Sequence, residues 1–336
     1  MQALTTDQFK VLSSAQIAAM GTDQIAKITT EDLAQISTAA FRGLSSAQLG
    51  ALNTDQIEAL STAQVAQLGS AQIKGLSTDQ IAKLESDDLR ALNTAALRAL
   101  GTDQLGALNS DQLAALTSNQ VNALTSAQIR GLSSDDLNAF TTEQFRLMSS
   151  AQISAIGTDQ LKTLSTDDLA AISTAGIKGL SSNQLAALTT DEVQALSTAQ
   201  VNALTSAQTK GLTTDQIAKL ETDDLRALNT ASLRALDTDQ LRALDSDQIA
   251  ALTTNQVNAL STQQLRGLSS DDLNALTTDQ FRQMGSAQIA ALGTDQIKTL
   301  ATEDLAAIST AGIRGLSSAQ LAALTTDEVV ALGTAQ

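Results

Sequence analysis

The adjacent acidic pairs that end in Asp, seven in all, are groups that could bind a hard cation, because Ca²⁺ and Mg²⁺ prefer oxygen ligands. No Asp-x-Asp-x-Asp-Gly loop or Gly-Gly-x-Gly-x-Asp nonapeptide surrounds them. Neighbouring residues of a helix diverge by about 100°, so a helical pair is a poor chelate. We therefore predict that the pairs complement helix dipoles. They are Glu31-Asp32, Asp87-Asp88, Asp135-Asp136, Asp167-Asp168, Asp223-Asp224, Asp271-Asp272 and Glu303-Asp304.

The sequence offers hydroxyl groups in abundance but no partner that could activate them. It contains no His, Cys or Tyr, so a serine nucleophile has no imidazole base. The His and Cys ligands of the usual zinc sites are missing as well. Of the usual haem ligands, only four Met are present. Scattered Lys residues are expected to be solvated charges. We therefore predict that the protein is not an enzyme, with no catalytic, cofactor-binding or metal-binding residue and no cofactor.

Charge and hydropathy restrict the partners. The net charge of −16 and the near absence of aromatic residues argue against binding nucleic acid. No apolar run is long enough for a membrane helix, and Met1-Gln2-Ala3 does not begin a signal peptide. A regular Ser/Thr array could suggest ice binding, and an acidic superhelix could suggest DNA mimicry. Hydroxyls used as helix caps disfavour the first alternative, and the diluted charge disfavours the second.

An eight-residue repeat runs through the whole chain and must position all of these groups. Leu, Ile, Met or Phe occupies position 1 of all 42 octads, from Leu4 to Leu332. Position 3 is Ser or Thr in all 42, from Thr6 to Thr334. Position 6 is Ile, Leu, Val or Phe in 40 of 41 octads, with Thr209 as the exception.

The repeat length excludes both a continuous helix and a flat strand. Eight residues of α-helix leave the apolar face displaced by about 80°, so a continuous helix could not keep it buried. In a strand, positions 1 and 6 would point to opposite faces. The remaining interpretation is one short helix per octad, covering roughly positions 3 to 8, with a bend at positions 1 and 2.

Two residues of each octad compete for the helix N-cap. Position 2 is Ser, Thr, Gly, Asn or Asp in 39 of 42 octads, the exceptions being Glu85, Glu221 and Ala301. With position 2 as cap, Gln at position 5 completes a capping box, and positions 1 and 6 form a hydrophobic staple. The invariance of position 3 favours that position as the cap instead.

These helices are too short to be stable alone, so they must be stabilised by stacking. Position 8 is Ala or Gly in 31 of 41 octads, which allows close approach between helices. Linkers of one or two residues exclude helical hairpins, and a constant turn between helices generates a superhelix. We predict an all-α fold, an α-solenoid of 42 octads in which residues 1–336 form a single continuous array. The array also looks like a segment of a longer one, since it lacks atypical terminal octads.

A longer period of 17 octads is superimposed on the octad. The 136-residue super-repeats begin near Leu4, Phe140 and Leu276. A basic residue followed by Gly marks fixed positions within them, which predicts either a local packing variant or a lateral contact repeated along a fibre. These pairs are Arg42-Gly43, Lys74-Gly75, Arg130-Gly131, Lys178-Gly179, Lys210-Gly211, Arg266-Gly267 and Arg314-Gly315.

The octads at residues 188–195 and 196–203, LTTDEVQA and LSTAQVNA, resemble the octapeptide-repeat arrays of very large bacterial adhesin-like proteins. The resemblance covers essentially the whole chain and implies a secreted or cell-surface location, with no active residue to transfer. The expected function is a rod-like spacer or stalk, or a fibre-forming homo-oligomer assembled through lateral contacts. The alternative is a module that binds a protein or surface through an acidic face.

Overall fold

The computed structural model describes residues 4–332, which fold into 41 short α-helices with no strand among them. Each helix has four to six residues and begins at position 3 of its octad. The predicted all-α solenoid of octads, with one helix in each, is therefore confirmed. Met1-Gln2-Ala3, Thr334 and the position 5 residue of the last octad, Gln336, lie outside the described residues.

The chain divides into two compact units, an N-terminal unit, Met1–Gly179, and a C-terminal unit, Leu180–Gln336. The described helices of the N-terminal unit, α1 to α22, are Thr6–Lys10, Ser14–Ala18, Thr22–Ile25, Thr30–Gln35, Thr38–Phe41, Ser46–Gly50, Thr54–Glu58, Thr62–Val65, Ser70–Ile73, Thr78–Ile81, Ser86–Ala91, Thr94–Ala99, Thr102–Leu105, Ser110–Ala115, Ser118–Ala123, Ser126–Gly131, Ser134–Asn138, Thr142–Leu147, Ser150–Ile153, Thr158–Leu161, Thr166–Ala171 and Thr174–Ile177.

The described helices of the C-terminal unit, α23 to α41, are Ser182–Ala187, Thr190–Gln194, Thr198–Ala203, Ser206–Lys210, Thr214–Ala218, Thr222–Ala227, Thr230–Ala235, Thr238–Arg242, Ser246–Ala251, Thr254–Ala259, Thr262–Gly267, Ser270–Asn274, Thr278–Gln283, Ser286–Ala291, Thr294–Lys298, Thr302–Ala307, Thr310–Ile313, Ser318–Ala322 and Thr326–Ala331. The single continuous array over residues 1–336, which we inferred from the unbroken octad register of the sequence, stays a prediction.

The helix N-cap is position 2, as Ser77 illustrates. Ser77 is extended (φ −73°, ψ 166°), and its Oγ accepts a hydrogen bond of 3.2 Å from the backbone N–H of Gln80. In return, the Ser77 N–H donates to Gln80 Oε1 at 2.7 Å. This is the predicted capping box. The competing assignment of the cap to position 3 is wrong, because that residue is already the first helical residue in every described helix.

Extended residues at positions 1 and 2 separate consecutive helices, as the linker between α11 and α12 illustrates. After α11, Leu92 has φ −58° and ψ 133°, and the N-cap Asn93 has φ −70° and ψ 153°. No described residue has positive φ, so the bend needs no left-handed glycine. The predicted bend at positions 1 and 2 therefore consists of ordinary extended backbone, which L-residues adopt without strain.

Positions 1 and 6 form the core. Ile81 at position 6 is fully buried, and Leu76 at position 1 is 3% exposed. Thr209, the polar exception at position 6, is also fully buried, and its hydroxyl donates to the Thr205 carbonyl at 3.1 Å. The core is thin because each octad contributes only these two large apolar side chains.

Within each unit, a helix packs against the helix three positions further along the chain, as α9 does with α12 and α26 with α29. The buried glutamine at position 5 links the turns. The Nε2 of Gln80 donates to the carbonyls of Leu49 and Leu52, at 3.1 and 2.6 Å and separations of 31 and 28 residues. One superhelical turn therefore takes between three and four octads.

The same amide contact recurs in both units. Gln120 donates to the carbonyls of Leu89 and Leu92, 31 and 28 residues earlier, and in the C-terminal unit Gln264 donates to Leu233 and Leu236 at the same separations. These carbonyls lie at the C-terminal end of a helix and at the start of the next linker, where intrahelical partners are lacking. We call this set of position 5 amides the glutamine ladder.

Candidate functional site

The two carboxylates of an acidic pair make different contacts in the described part of the chain. The second carboxylate of a pair turns back to its own N-cap, as Asp136 does by accepting the Ser133 N–H at 2.8 Å. The first carboxylate points into solvent, and Asp87 pairs there with Arg90 at 2.9 Å. Among the described residues no group of three or more His, Cys, Asp or Glu side chains is arranged to hold a metal ion. In the pairs with these contacts, the first and second carboxylates thus have different partners.

Three of the second carboxylates are buried deeply enough to change their acidity. Burial raises the pKa of Asp88, against the opposing effect of hydrogen bonds from the Thr62 hydroxyl and the Glu85 N–H. Burial likewise raises the pKa of Asp224, the equivalent residue of the next super-repeat, where Thr198 takes the place of Thr62. The pKa of Asp304 is raised by burial and by the charge of Glu303. Asp88 and Asp224 cannot donate to the previous turn, as a glutamine does, and each accepts a threonine hydroxyl instead.

The Ser and Thr side chains are used within the fold. Position 2 hydroxyls accept the helix N–H groups described above. Several position 3 hydroxyls donate across turns, as Ser70 does to the Ala95 carbonyl at 3.0 Å and Ser182 to the Ala207 carbonyl at 2.7 Å. At these positions the hydroxyls are not free to form the flat array that ice binding needs.

The glycines of the basic-Gly pairs lie where two turns approach closely. A Cβ atom at Gly43 would lie 2.2 Å from the Ser14 carbonyl oxygen, and one at Gly179 would lie 2.1 Å from that of Ser150. The other five glycines of this set each contact the equivalent position 3 residue of the preceding turn. The neighbouring Arg42 donates its Nε to Gln67 Oε1 at 2.7 Å, also across turns. These contacts support the local packing variant rather than the lateral contact.

Two open surface clefts are related by the super-repeat. The first, of about 340 Å³, is lined by Lys83, Glu85 and Asp111 among others, and the second, of about 480 Å³, by Lys219, Glu221 and Asp247. Lys83 Nζ lies 3.9 Å from a Glu58 carboxylate oxygen. Both linings are polar and place a lysine near carboxylates.

The glutamine ladder is the feature that sequence reasoning missed. The sequence pattern explains Gln at position 5 only as the capping-box residue, a role that Glu fills equally well. Position 5 is nevertheless Glu only at Glu192 and Glu328, whereas Gln predominates. This preference for an amide over a carboxylate was the available signal, because only the amide can donate to a carbonyl.

No described helix is long and apolar enough to cross a membrane. No curated protein matches the chain. The family model described as the ALTTAQ repeat matches it in twelve overlapping segments that together cover residues 1–334: 1–30, 25–62, 57–85, 81–118, 118–147, 131–166, 163–198, 192–222, 217–254, 253–283, 270–302 and 298–334. The chain therefore belongs to the ALTTAQ repeat family.

Proposed function

We propose that this chain is a non-enzymatic structural repeat region that serves as a spacer or stalk, in a secreted or cell-surface bacterial protein. The glutamine ladder carries the proposal. It recurs with the same 28- and 31-residue separations within both units, so most octads with glutamine at position 5 share one contact that links successive turns of their unit. A spacer requires such a repeated contact, because its length is then set by the number of octads.

The surface supports the spacer over the binding module. Charged residues pair locally within one helix, as Glu143 does with Arg146 at 2.6 Å and Asp87 with Arg90 at 2.9 Å. The two clefts give the binding alternative its strongest feature, but they are open and polar, and the ion pair in the first joins two of its own residues. The location follows from the resemblance to adhesin-like arrays and is part of the proposal.

Small-angle X-ray scattering of a shortened chain tests the spacer. Deleting residues 76–211 removes 17 octads and joins Gly75 to Leu212, which reproduces the native Lys-Gly-Leu sequence found at residues 210–212. We expect the maximum dimension to fall in proportion to the octads removed, with an unchanged cross-sectional radius. A decrease in both the maximum dimension and the cross-sectional radius would favour a compact particle and contradict the spacer.

A further inference from the structure

The cations at position 7 fall into two groups according to the residue at position 4 of the same octad. Where position 4 is acidic, the two side chains can pair within one helix, as Arg146 does with Glu143 at 2.6 Å. Other octads have Ala or Gln at position 4, and their position 7 cations form no ion pair among the described residues. Seven exposed members of this second group form what we call the basic rows, Arg42, Lys74, Arg98 and Arg130 in the N-terminal unit and Lys210, Arg234 and Arg266 in the C-terminal unit.

The members of a basic row are separated alternately by four and three octads. The separations are 32, 24 and 32 residues in the N-terminal unit and 24 and 32 residues in the C-terminal unit. The glutamine ladder joins an octad to those four and three places before it, as Gln80 shows by donating to the carbonyls of Leu49 and Leu52. A row that alternates between these two steps therefore stays on one face of its unit and presents one cation per superhelical turn.

A surface cleft of the C-terminal unit shows this alignment directly. The cleft has a volume of about 230 Å³, and Lys210 and Arg234 line it together with Gln264, which belongs to the octad of the third member of the row. Asp237 also lines the cleft, but its carboxylate accepts the Gln240 N–H at 2.8 Å as the cap of its own helix. The octads of all three cations thus meet at one side of the unit.

Each unit also has an acidic row with the same alternation of steps. Its carboxylates are exposed and lie at position 4 of octads that have no Lys or Arg at position 7. Successive members are separated alternately by 32 and 24 residues. The acidic rows are Asp23, Asp55, Asp79, Asp111, Asp135 and Asp167 in the N-terminal unit and Asp191, Asp215, Asp247, Asp271, Glu303 and Asp327 in the C-terminal unit.

The cleft of about 340 Å³ shows that the acidic row is aligned as well. Its lining includes Glu58, Lys83 and Asp111, which come from the octads of Asp55, Asp79 and Asp111 itself. Lys83 lies on this face and pairs with Glu58 at 3.9 Å. Among the described residues, no carboxylate of either acidic row forms an ion pair.

The two rows of one unit face different directions, so they do not neutralise each other. Lys74 and Asp79 lie in consecutive octads, and one superhelical turn takes between three and four octads. The rows are therefore between a quarter and a third of a turn apart. A second copy of this chain provides the matching line of charge for either row, because both rows carry one charge per turn of the same stacked structure.

We propose that copies of this chain associate side by side, with the basic row of one copy against the acidic row of another. Packing between turns accounts for the glycines that follow Arg42 and Lys74, whereas this contact accounts for the cations themselves. Each exposed ion pair contributes little alone, but the contact repeats at every turn of the row. Because the acidic row of the first copy stays free, the contact is heterologous and further copies can add laterally.

Sedimentation velocity of the full chain, over a concentration series up to about 1 mM, tests this association. The basic-row variant combines Lys74→Glu, Arg98→Glu, Lys210→Glu and Arg234→Glu. A control variant makes the same change of net charge at position 7 cations that pair within their own helices. It combines Arg90→Glu, Arg146→Glu, Arg226→Glu and Arg282→Glu. We expect the basic-row variant to weaken association about a hundredfold and the control variant to change it by no more than about threefold.

Mixing oppositely reversed variants tests the pairing of the two rows. The acidic-row variant combines Asp55→Lys, Asp79→Lys, Asp191→Lys and Asp215→Lys. The reversed residues of each unit are 24 residues apart in both variants, so they can pair in a single register. We expect each variant to associate weakly alone and an equimolar mixture to regain association at least as strong as that of the wild-type chain, although both variants keep a negative net charge.

Circular dichroism checks that each variant keeps the helical fold. If the basic-row variant unfolds, alanine at the same four positions replaces it, with a weakening of about tenfold expected. A wild-type chain that stays monomeric throughout the series would overturn the proposal. So would a control variant that loses as much association as the basic-row variant, or a mixture that associates no more strongly than its separate components.

Discussion

At the scale of the residue, the position 5 glutamine uses both ends of its amide. In octad 260–267, Gln264 Oε1 accepts the Ser261 N–H at 2.9 Å, while Nε2 donates to the Leu233 and Leu236 carbonyls at 3.0 and 2.9 Å. One buried side chain thereby satisfies a helix N-terminus and a helix C-terminus of different turns. No buried side-chain nitrogen or oxygen in the described residues lacks a partner.

Replacing this amide with a carboxylate separates its two functions. Gln264→Glu keeps the acceptor but loses the donor and buries a charge against two carbonyls, which we expect to cost about 2–4 kcal/mol of stability. Gln263→Glu makes the same change at the exposed neighbouring residue, in the first helical turn, and should be within about 0.5 kcal/mol of wild type. Urea unfolding followed by circular dichroism measures both, and equal losses would contradict a role for the donor.

The buried carboxylate of Asp88 predicts a pH-dependent effect on stability. Because its pKa is raised in the folded state, the protonated form contributes stability below the ordinary pKa, and this contribution is lost as the pH rises through the raised value. Asp88→Asn keeps the acceptor for the Thr62 hydroxyl and removes the buried charge. We expect it to raise the urea midpoint at about pH 7 and to change it little at about pH 3.

The exposed neighbour provides the comparison for this pH dependence. Asp87→Asn removes the partner of Arg90 at the surface, an ion pair of 2.9 Å, and should lower the midpoint slightly at neutral pH. If Asp88→Asn also lowered the midpoint at neutral pH, its carboxylate would be a net stabilising group and the interpretation of its burial would be wrong.

At the scale of the element, each helix is a single turn or little more, bounded by a cap and a two-residue linker. The N-cap could be predicted because Ser, Thr, Asn or Asp at position 2 combines with Gln at position 5 and apolar residues at positions 1 and 6. The partner helix could not be predicted. It depends on the backbone angles of two extended linker residues, and many residue types adopt those angles.

In two octads without glutamine at position 5, another side chain of the octad donates the hydrogen bond to the previous turn. Octad 92–99 has Ala96 at position 5, and the N-cap Asn93 donates its Nδ2 to the Leu68 carbonyl at 3.0 Å. A glutamine in place of Ala96 would donate to this same carbonyl. In the equivalent octad of the C-terminal unit, the Ser232 hydroxyl donates to the Leu204 carbonyl at 3.1 Å, and Asn229 Nδ2 lies 3.4 Å from it.

Serine substitutions of the N-cap residues Asn93 and Asn53 distinguish the contribution of helix capping from that of the hydrogen bond donated across turns. Asn93→Ser keeps a good N-cap but cannot reach Leu68, so we expect a loss of about 1 kcal/mol. Asn53→Ser changes the same N-cap position in an octad whose Gln56 already donates to the Ile28 carbonyl at 2.6 Å, and should be nearly neutral. Thermal unfolding measures the difference, and a larger loss for Asn53→Ser would refute the compensation.

At the scale of the whole molecule, periodicity predicted the class of fold and the number of octads, but not the number of octads in a turn. The super-repeat could be predicted from repeated residues. Its physical basis is visible only in the contacts, because Gly43 and Gly179 leave room for the backbone of a neighbouring turn. The glutamine ladder also emerges only in the contacts. Its donor and acceptors are 28 and 31 residues apart, and this separation produces no sequence period other than the octad itself.

Cysteine cross-linking tests the central claim, that each turn contacts the next at a fixed offset in the chain. The sequence contains no Cys, so any disulfide comes from the introduced pair. A Cβ atom at Gly131 would lie 2.9 Å from the Cβ atom of Thr102, so a small outward shift brings the two to the roughly 3.5–4.5 Å of a disulfide. Thr102→Cys is combined with Gly131→Cys or with a cysteine at the same octad position one octad earlier, Ala123→Cys, or later, Ala139→Cys.

The measurement is the loss of free thiols by mass spectrometry after mild oxidation of the monomeric chain. The account predicts rapid, complete cross-linking of Thr102→Cys with Gly131→Cys and little with the other two, whose helices lie about one helix diameter away. Equal cross-linking of all three pairs, or preferential cross-linking of either control pair, would contradict the stacking of turns on which the fold and its proposed function depend.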